Sequence, residues 1–373
     1  MQLKSLTVRG YKSIRELDGF ELRNLNVLIG ANGAGKSNLI SLFRLLAALA
    51  NGSLQEYVQL QGGPDALLRG GRKQTAEIEA AFSFGHHSYR IALMPSADNR
   101  LIFTQEEATG DAGTIQVLMG TAHEETRLSG RLAASGVPRS VLEALQSWRV
   151  YHFHDTGDAA AVKRLHASND NLVLKADAGN LAAYLARLKT GDDVESRAAY
   201  GRIVDTIRLA APFFGDFVVR EPLPRTVELE WTERGQPDTP LRAHLLSDGT
   251  LRFLCLTTLL LQPADLLPDT VLIDEPELGL HPYAINLLAE MLQQVAATKQ
   301  VIVSTQSVEL LNHFAPEDVI VVDRSPEDGA STFRRPDAQE LADWLEDYTL
   351  GELWQRNILG GRPTTHGGLR AAA

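Results

Sequence analysis

Apolar residues recur along this chain with two different periods, and the changes of period divide it. Residues 2–8 alternate apolar and polar side chains and predict a half-buried strand. Residues 14–22 continue as short strand-like pieces around the turn signal Asp18-Gly19. Asn26-Val27-Leu28-Ile29 is an apolar run of buried-strand type. After it, Leu39-Ile40, Leu42-Phe43 and Leu45-Leu46 repeat at helical spacing, predicting a helix to about Leu49 that stops at Asn51-Gly52. A Gly-rich connection follows (Gln61-Gly62-Gly63-Pro64, then Gly70-Gly71). Residues 76–84 alternate again, with 89–94 and 101–105 as antiparallel partners.

From about residue 110 the pattern turns helical. Residues 128–148 are loosely helical with a break at Gly136-Val137-Pro138. Leu181, Tyr184, Leu185 and Leu188 form one apolar helical face, and Ile203, Ile207 and Ala211 another. No heptad is sustained over several turns, so a long coiled-coil arm is not expected. Strands resume at Val218-Val219 and over residues 226–231.

The last third alternates strand and helix. Residues 250–261 predict a helix, Val271-Leu272-Ile273 a buried strand, and Pro282 opens a helix with Leu288, Met291, Leu292 and Val295 on one face. Val301-Ile302-Val303 and Val319-Ile320-Val321-Val322 are further buried strands around a helical stretch at 308–314. Apolar strands separated by helices imply parallel pairing with both faces covered. The tail, residues 361–373, is rich in Gly, Thr and Ala and is expected to be disordered.

Composition narrows the partners more than the fold. The 373 residues, 44 % hydrophobic and 22 % charged, suit an ordinary globular protein of one large or two modest domains. The single cysteine, Cys255, excludes an intramolecular disulfide, sits in an apolar run, and fits a cytoplasmic protein. No signal core or run of transmembrane length is present, which excludes a transporter made by this chain alone and predicts no membrane partner. A formal net charge of −11 means that any DNA contact must come from a local patch or a partner. Arg69-Gly70-Gly71-Arg72-Lys73 is one candidate patch, and Arg9, Lys12 and Arg15 form a looser one.

The chemistry is concentrated where the first buried strand meets its helix. Gly30-Ala31-Asn32-Gly33-Ala34-Gly35-Lys36-Ser37 is a G-x-x-x-x-G-K-S phosphate loop between a strand and a helix, the context its mechanism requires. Its backbone N–H groups, those of Asn32, Gly33, Ala34 and Gly35 among them, can turn toward phosphate oxygens, and the helix N-terminus adds its positive dipole end. Lys36 is expected to reach the β- and γ-phosphates of ATP and the Ser37 hydroxyl to hold Mg²⁺. Val271-Leu272-Ile273-Asp274-Glu275-Pro276 has the form of a Walker B strand. Asp274 at its end is expected to hold Mg²⁺, and Glu275 to orient or deprotonate the attacking water.

Further motifs carry a resemblance. Leu246-Ser247-Asp248-Gly249-Thr250 resembles the ABC signature, Glu277-Leu278-Gly279-Leu280-His281-Pro282 resembles a D-loop, and Asn38 follows Gly35-Lys36-Ser37. Together they resemble the SMC/RecF/OLD-like branch of ABC-type ATPases, of the small AAA-type kind without a fused TOPRIM nuclease domain. The matched motifs cover residues 1–50 and 240–325. The resemblance implies an α/β fold: an ABC ATPase head, a P-loop NTPase with a mixed sheet and a β-rich lobe, carrying an inserted helical subdomain. Residues 1–109 and 216–360 would form the head, and 110–215 the mainly helical insertion. It also implies an ATP-sandwich homodimer in which Ser247 and Gly249 of one copy serve the Lys36 of another. The lesser alternative is that Ser247-Asp248-Gly249 is only an N-cap on the following helix.

Two departures stand out. Asp248 replaces the first glycine of the usual signature. Ser304-Thr305-Gln306-Ser307 stands where the family's switch histidine sits; Gln306 can hydrogen-bond a γ-phosphate or water but cannot carry a proton, which implies slow hydrolysis or a switch that relies on conformation. The family's Q-loop glutamine has no clear match. Tyr151-His152-Phe153-His154-Asp155 contains groups able to sense ATP or bind metal, with loop or core histidines as the favoured reading, and His86-His87 is a weaker case. The resulting expectation is an ATP-hydrolysing, ATP-dimerising protein acting on DNA or on a nucleic-acid-associated partner, in DNA repair or phage defence, with a separate effector or nuclease protein as a further partner. The alternatives are a cassette energising a membrane transporter, against which the 210 residues between Ser37 and Ser247 argue, and a regulatory module that binds ATP with little turnover.

Overall fold

The computed structural model describes residues 1–113, 115–129 and 136–361. The expected disordered tail therefore lies, beyond Gly361, outside the described residues, as do 130–135 of the stretch expected to be loosely helical. The chain forms two compact units, Met1–Trp148 with Ser304–Ala373, and Arg149–Val303.

In the first unit β1 (Ser5–Tyr11) and β2 (Ile14–Glu21) precede β3 (Leu25–Ile29), whose five residues are all buried. Then come α1 (Lys36–Ala50), α2 (Leu54–Leu60), α3 (Pro64–Leu67), β4 (Ile78–Ser83), β5 (Ser88–Pro95), β6 (Leu101–Gly110), β7 (Ile115–Leu118) and α4 (Val137–Ser147). One antiparallel sheet takes the order β2-β1-β4-β5-β6-β7. The alternation that predicts β4 is visible in its burial: Ile78, Ala80 and Phe82 are buried while Glu79 is exposed. Asp18-Gly19, a turn signal in the sequence, lies instead inside β2, where the register against β1 shifts and Gly19 takes φ +55°. The expected break at Gly136-Val137-Pro138 is a helix start, since proline's fixed φ suits the first turn of α4. Trp148 then seals α1 to the β-rich sheet, its ring centroid 5.0 Å from Phe43, 6.2 Å from Phe82 and 6.0 Å from Phe84.

The second unit contains β8 (Arg149–Tyr151), β9 (His166–Ala167), α5 (Leu181–Thr190), α6 (Val194–Ala210), β10 (Phe214–Phe217), β11 (Thr226–Val227), β12 (Glu230–Glu233), β13 (Gln236–Arg242), α7 (Asp248–Leu261), β14 (Thr270–Asp274), α8 (Pro282–Ala296) and β15 (Gln300–Ser304), the last residue of which belongs to the first unit. β15, β14 and β8 lie side by side, with β14 and β8 parallel and Ile273 opposite Tyr151. β10, β12 and β13 form a small antiparallel sheet. β13 carries Pro237 and Pro240, which fall in the stretch where its register against β12 shifts, at the edge of the sheet.

The chain re-enters the first unit with α9 (Val308–Leu311), β16 (Val319–Arg324), β17 (Ser331–Arg334), α10 (Ala338–Leu345) and α11 (Leu350–Gln355). β16 runs parallel to β3, with Val321 opposite Ile29, and antiparallel to β17. Pairing is thus mixed, and the apolar strands β3 and β16 pair in parallel as their composition implies. No helix among the described residues is long and apolar enough to cross a membrane.

Candidate active site

In the first unit the buried run of β3 delivers the chain into a tight loop that ends as α1 begins. Three backbone features keep it tight. An added Cβ at Gly30 would lie 2.2 Å from the Val322 carbonyl oxygen, so β3 and β16 approach closely at this point. Gly33 takes φ +79°, a conformation L side chains rarely adopt, and faces open space. Gly35 takes φ +120°, and a Cβ there would stand 2.0 Å from Ser331 Oγ.

The start of α1 is built for an anion. It has no side-chain cap and no acidic residue in its first turn. Its first residue, Lys36, is 5 % exposed, and its Nζ curls back over the loop to donate to Gly30 O at 2.6 Å and Ala31 O at 3.3 Å. Asn32, Gly33 and Ser37 are exposed, while Ala34 and Gly35 are buried beneath them. Six other helices (α6 through α11) have their first turn closed by a side chain: Asp193, Ser247, His281, Ser307, Asp337 and Thr349. α2 to α5 also lack a side-chain cap, so what sets α1 apart is the glycine loop before it and the Lys36 ammonium folded over its start.

A chain of hydrogen bonds supports the loop from behind. Asn38 Nδ2 donates to Ser13 Oγ at 2.6 Å, Ser13 Oγ lies 2.6 Å from Ser331 Oγ, and Ser331 Oγ donates to Ala34 O at 2.5 Å. Because Ser331 spends its proton on Ala34, Ser13 is the donor in the middle link. Asn38 therefore braces the loop through Ser13. Arg324 Nη1 adds a bond to Gly33 O at 3.2 Å. Gln306 is exposed in the turn between β15 and α9, where Thr305 N donates to Leu28 O at 3.0 Å and so ties that turn to the end of β3.

In the second unit β14 ends at Asp274, followed by Glu275 at φ +44°. Both carboxylate residues are half-buried, as the end of a strand that is otherwise buried. His154 Nε2 lies 3.0 Å from Asp274 O and 3.1 Å from Glu275 O, and His152 Nδ1 is 3.9 Å from Asp274 Oδ2. The two imidazole rings stand 3.8 Å apart. Among the described residues no group of three or more His, Cys, Asp or Glu that could hold a metal ion is found.

Ser247 caps α7, its Oγ accepting from Thr250 N at 3.2 Å and lying 2.8 Å from Thr250 Oγ1. The plain capping role left open by the sequence is therefore filled, and Ser247 itself remains exposed. Gly249 packs on the turn after Glu275: a Cβ at Gly249 would lie 2.3 Å from Gly279 O. Arg252 grips that turn too, donating from Nη1 to Leu278 O at 2.8 Å and from Nη2 to His154 O at 2.9 Å. Cys255, farther along α7, is fully buried, and burial pushes its thiol up to about 12, as befits a core residue.

Sequence similarity agrees with this geometry. A family profile described as "AAA domain, putative AbiEii toxin, Type IV TA system" matches residues 25–105 and 135–312, well over half of the chain. The chain belongs to this AAA-domain family. The matched segments take in the phosphate loop, the signature-like stretch, the Walker B strand and Gln306. A curated relative of this family member, a "Putative ABC transporter ATP-binding protein" of Methanosarcina acetivorans, is 33 % identical over 79 residues, which are 21 % of this chain and 27 % of that protein. The chain thus matches only about a quarter of that relative's length.

Two solved structures share the fold. The Smc head bound to the C-terminal winged-helix domain of ScpA superposes with a TM-score of 0.58 at 14 % identity, covering 91 % of this chain and 99 % of that one. The Smc head with an extended coiled coil, bound to the C-terminal domain of ScpA derived from Pyrococcus furiosus, gives 0.55 at 13 %, covering 92 % and 98 %. At these identities the likeness speaks for fold alone. With the family match, it gives this AAA-domain protein the α/β fold of an SMC-like, ABC-type P-loop ATPase head.

Sequence motifs name the contiguous parts of the candidate site and not the residues that brace them. Ser13, Ser331 and Arg324 act on the loop from positions far away in the chain, and Arg252 looks like any helix-surface arginine. The sequence marks His154 only as one of the groups at 151–155 able to sense ATP or bind metal, and the structure shows that it touches the Asp274 and Glu275 carbonyls.

Proposed function

We propose that this chain binds and hydrolyses ATP, that two copies close on two ATP molecules, and that the cycle acts on DNA or on a nucleic-acid-associated partner, in DNA repair or phage defence. The observation that supports it most is the start of α1, uncapped, free of acidic residues and overlaid by the Lys36 ammonium. A triphosphate supplies the negative charge that this arrangement lacks. Lys36 would exchange its bonds to Gly30 O and Ala31 O for β- and γ-phosphate oxygens, and the N–H groups of Asn32, Gly33, Ala34 and Gly35 would line the phosphates. Asn38 serves the same cradle by bracing it. The oxygen ligands of Ser37 and Asp274 suit Mg²⁺, which when bound neutralises phosphate charge.

Glu275 would take the proton of the attacking water or orient it, and Gln306 would donate a hydrogen bond to the γ-phosphate or that water. Ser247 and Gly249, at the exposed start of α7, would close the site of a second copy. We also propose that 110–215 is a mainly helical insertion between head segments 1–109 and 216–360. The family's description names a putative AbiEii toxin of a type IV TA system; a separate effector or nuclease protein as partner belongs to this proposal.

Steady-state turnover tests the enzyme. Wild type should release phosphate from ATP; Lys36→Ala should lose both nucleotide binding and turnover; Glu275→Gln should keep binding while turnover falls about 10²- to 10⁴-fold. Flat wild-type turnover at tight ATP affinity would favour the regulatory binding module instead. The name of the Methanosarcina acetivorans relative, a putative ABC transporter ATP-binding protein, supports a second reading, a cassette energising a membrane transporter. Association with membrane subunits on fractionation from the native host would favour that reading.

A further inference from the structure

We infer that His154 is a positioning residue for hydrolysis, fixing the backbone torsion of Glu275 by donating its Nε2–H to the carbonyl oxygens on either side of that residue's Cα. The inference rests on the proposed role of Glu275 in activating water. Glu275 is the one residue of the Asp274-Glu275 pair with positive φ, +44°, and it has a Cβ that makes this conformation unfavourable. The strained torsion turns the chain out of β14 and sets the direction of the Glu275 side chain.

Both atoms facing His154 Nε2, Asp274 O at 3.0 Å and Glu275 O at 3.1 Å, are carbonyl oxygens and can only accept. The ring nitrogen therefore carries hydrogen and shares it between them. These carbonyl carbons are the two ends of the Glu275 φ torsion. One donor holding both oxygens closes a small ring around that torsion and opposes its relaxation to negative φ. The role needs only a proton on Nε2, which a neutral and a charged imidazole both supply.

His154 is itself held by elements of the same unit. The parallel register of β8 on β14 brings Tyr151 opposite Ile273, so the chain leaves both strands side by side. Arg252 Nη2 donates to His154 O at 2.9 Å while its Nη1 donates to Leu278 O at 2.8 Å. One guanidinium from the signature helix thus spans the histidine segment and the turn that follows Glu275. The His152 ring stands against the His154 ring, with centroids 3.8 Å apart. A histidine whose ring and main chain are both fixed can transmit position to a backbone, which a solvated loop histidine cannot.

The test uses the full-length chain with His154→Phe, His154→Gln and Glu275→Gln. Phenylalanine keeps the ring and removes the donor; glutamine restores an N–H at about the reach of Nε2. His154→Phe should lower kcat about 10- to 100-fold with KM for ATP and fluorescent-nucleotide affinity within about twofold, and His154→Gln should recover most of the loss. Histidine-ring ¹⁵N spectra of the nucleotide-free protein should show a proton on His154 Nε2. Unchanged kcat in His154→Phe, no rescue by glutamine, or a bare Nε2 in the spectra would each overturn the inference. Should His154→Phe fail to fold, the glutamine variant and the spectra decide. Wild-type turnover in Glu275→Gln would remove the underlying reading instead, so the two failures are distinguishable.

Discussion

Ser331 and Gly35 show how closely side chain and backbone are matched at the phosphate loop. Gly35 has no Cβ, and the space that a Cβ would fill is taken by Ser331 Oγ, 2.0 Å from that point. The hydroxyl uses that proximity to hold Ala34 O, and through Ser13 it reaches Asn38. Ser331→Ala should therefore loosen the loop without unfolding the chain. A net hydrogen bond contributes roughly 0.5–1.5 kcal/mol, so ATP affinity should weaken about 2- to 12-fold. Titration with a fluorescent ATP analogue, with the melting temperature as control, measures it; unchanged affinity would mean that the loop holds its shape without Ser331. The opposite arrangement prevails at Glu275, where a residue with a side chain occupies a conformation suited to glycine and needs outside help to stay there.

Elements were legible in the sequence where burial on both faces leaves one continuous apolar run. β3, β14, β15 and β16 are of this kind, every residue or nearly every residue buried, and each lies close to where its run predicts. Elements without such a signature were missed. β8 has three residues, too few to show a period. β13 is almost wholly exposed and carries two prolines. α9 is four residues long, shorter than the helical stretch expected over 308–314, and ends at Asn312 ahead of the separate turn that Pro316 opens. α11 did carry a local signal: Thr349 and Glu352 form a capping box, Thr349 Oγ1 accepting from Glu352 N at 3.3 Å while Glu352 Oε2 accepts from Thr349 N at 2.8 Å. With Leu353 and Trp354 buried behind it, this cap anchors the helix. Thr349→Ala should lower stability by about 1 kcal/mol in urea unfolding of the first unit; no shift of the midpoint would show that packing of Leu353 and Trp354 holds α11 by itself.

At the scale of the molecule, motif and fold divide the information differently. Lys36, Ser37, Asp274 and Glu275 were readable because each sits in a contiguous pattern whose spacing is fixed by a strand end or a helix start. Of the residues that brace them, Ser13, Ser331, Arg324 and Arg252 were not readable, since each acts across tens to hundreds of positions and its residue type alone names no role, and His154 was readable only as a group able to sense ATP or bind metal. The same division applies to Ser247 and Gly249. The sequence offered them either as a cap or as a contact to another copy, and the capping bond is made within α7 while both residues stay at or near the surface. Gly249 also packs against Gly279 O, so the signature-like helix and the turn after Glu275 share one surface. That surface is the one a second copy would meet under the proposed cycle.

The mass of Glu275→Gln in solution with ATP and Mg²⁺ tests that claim most directly. With hydrolysis blocked, light scattering should show a species of twice the 40.8 kDa chain mass that returns to the monomer mass without nucleotide or when Lys36→Ala is added to the same chain. A protein that binds ATP fully and keeps the mass of a single chain would contradict the account.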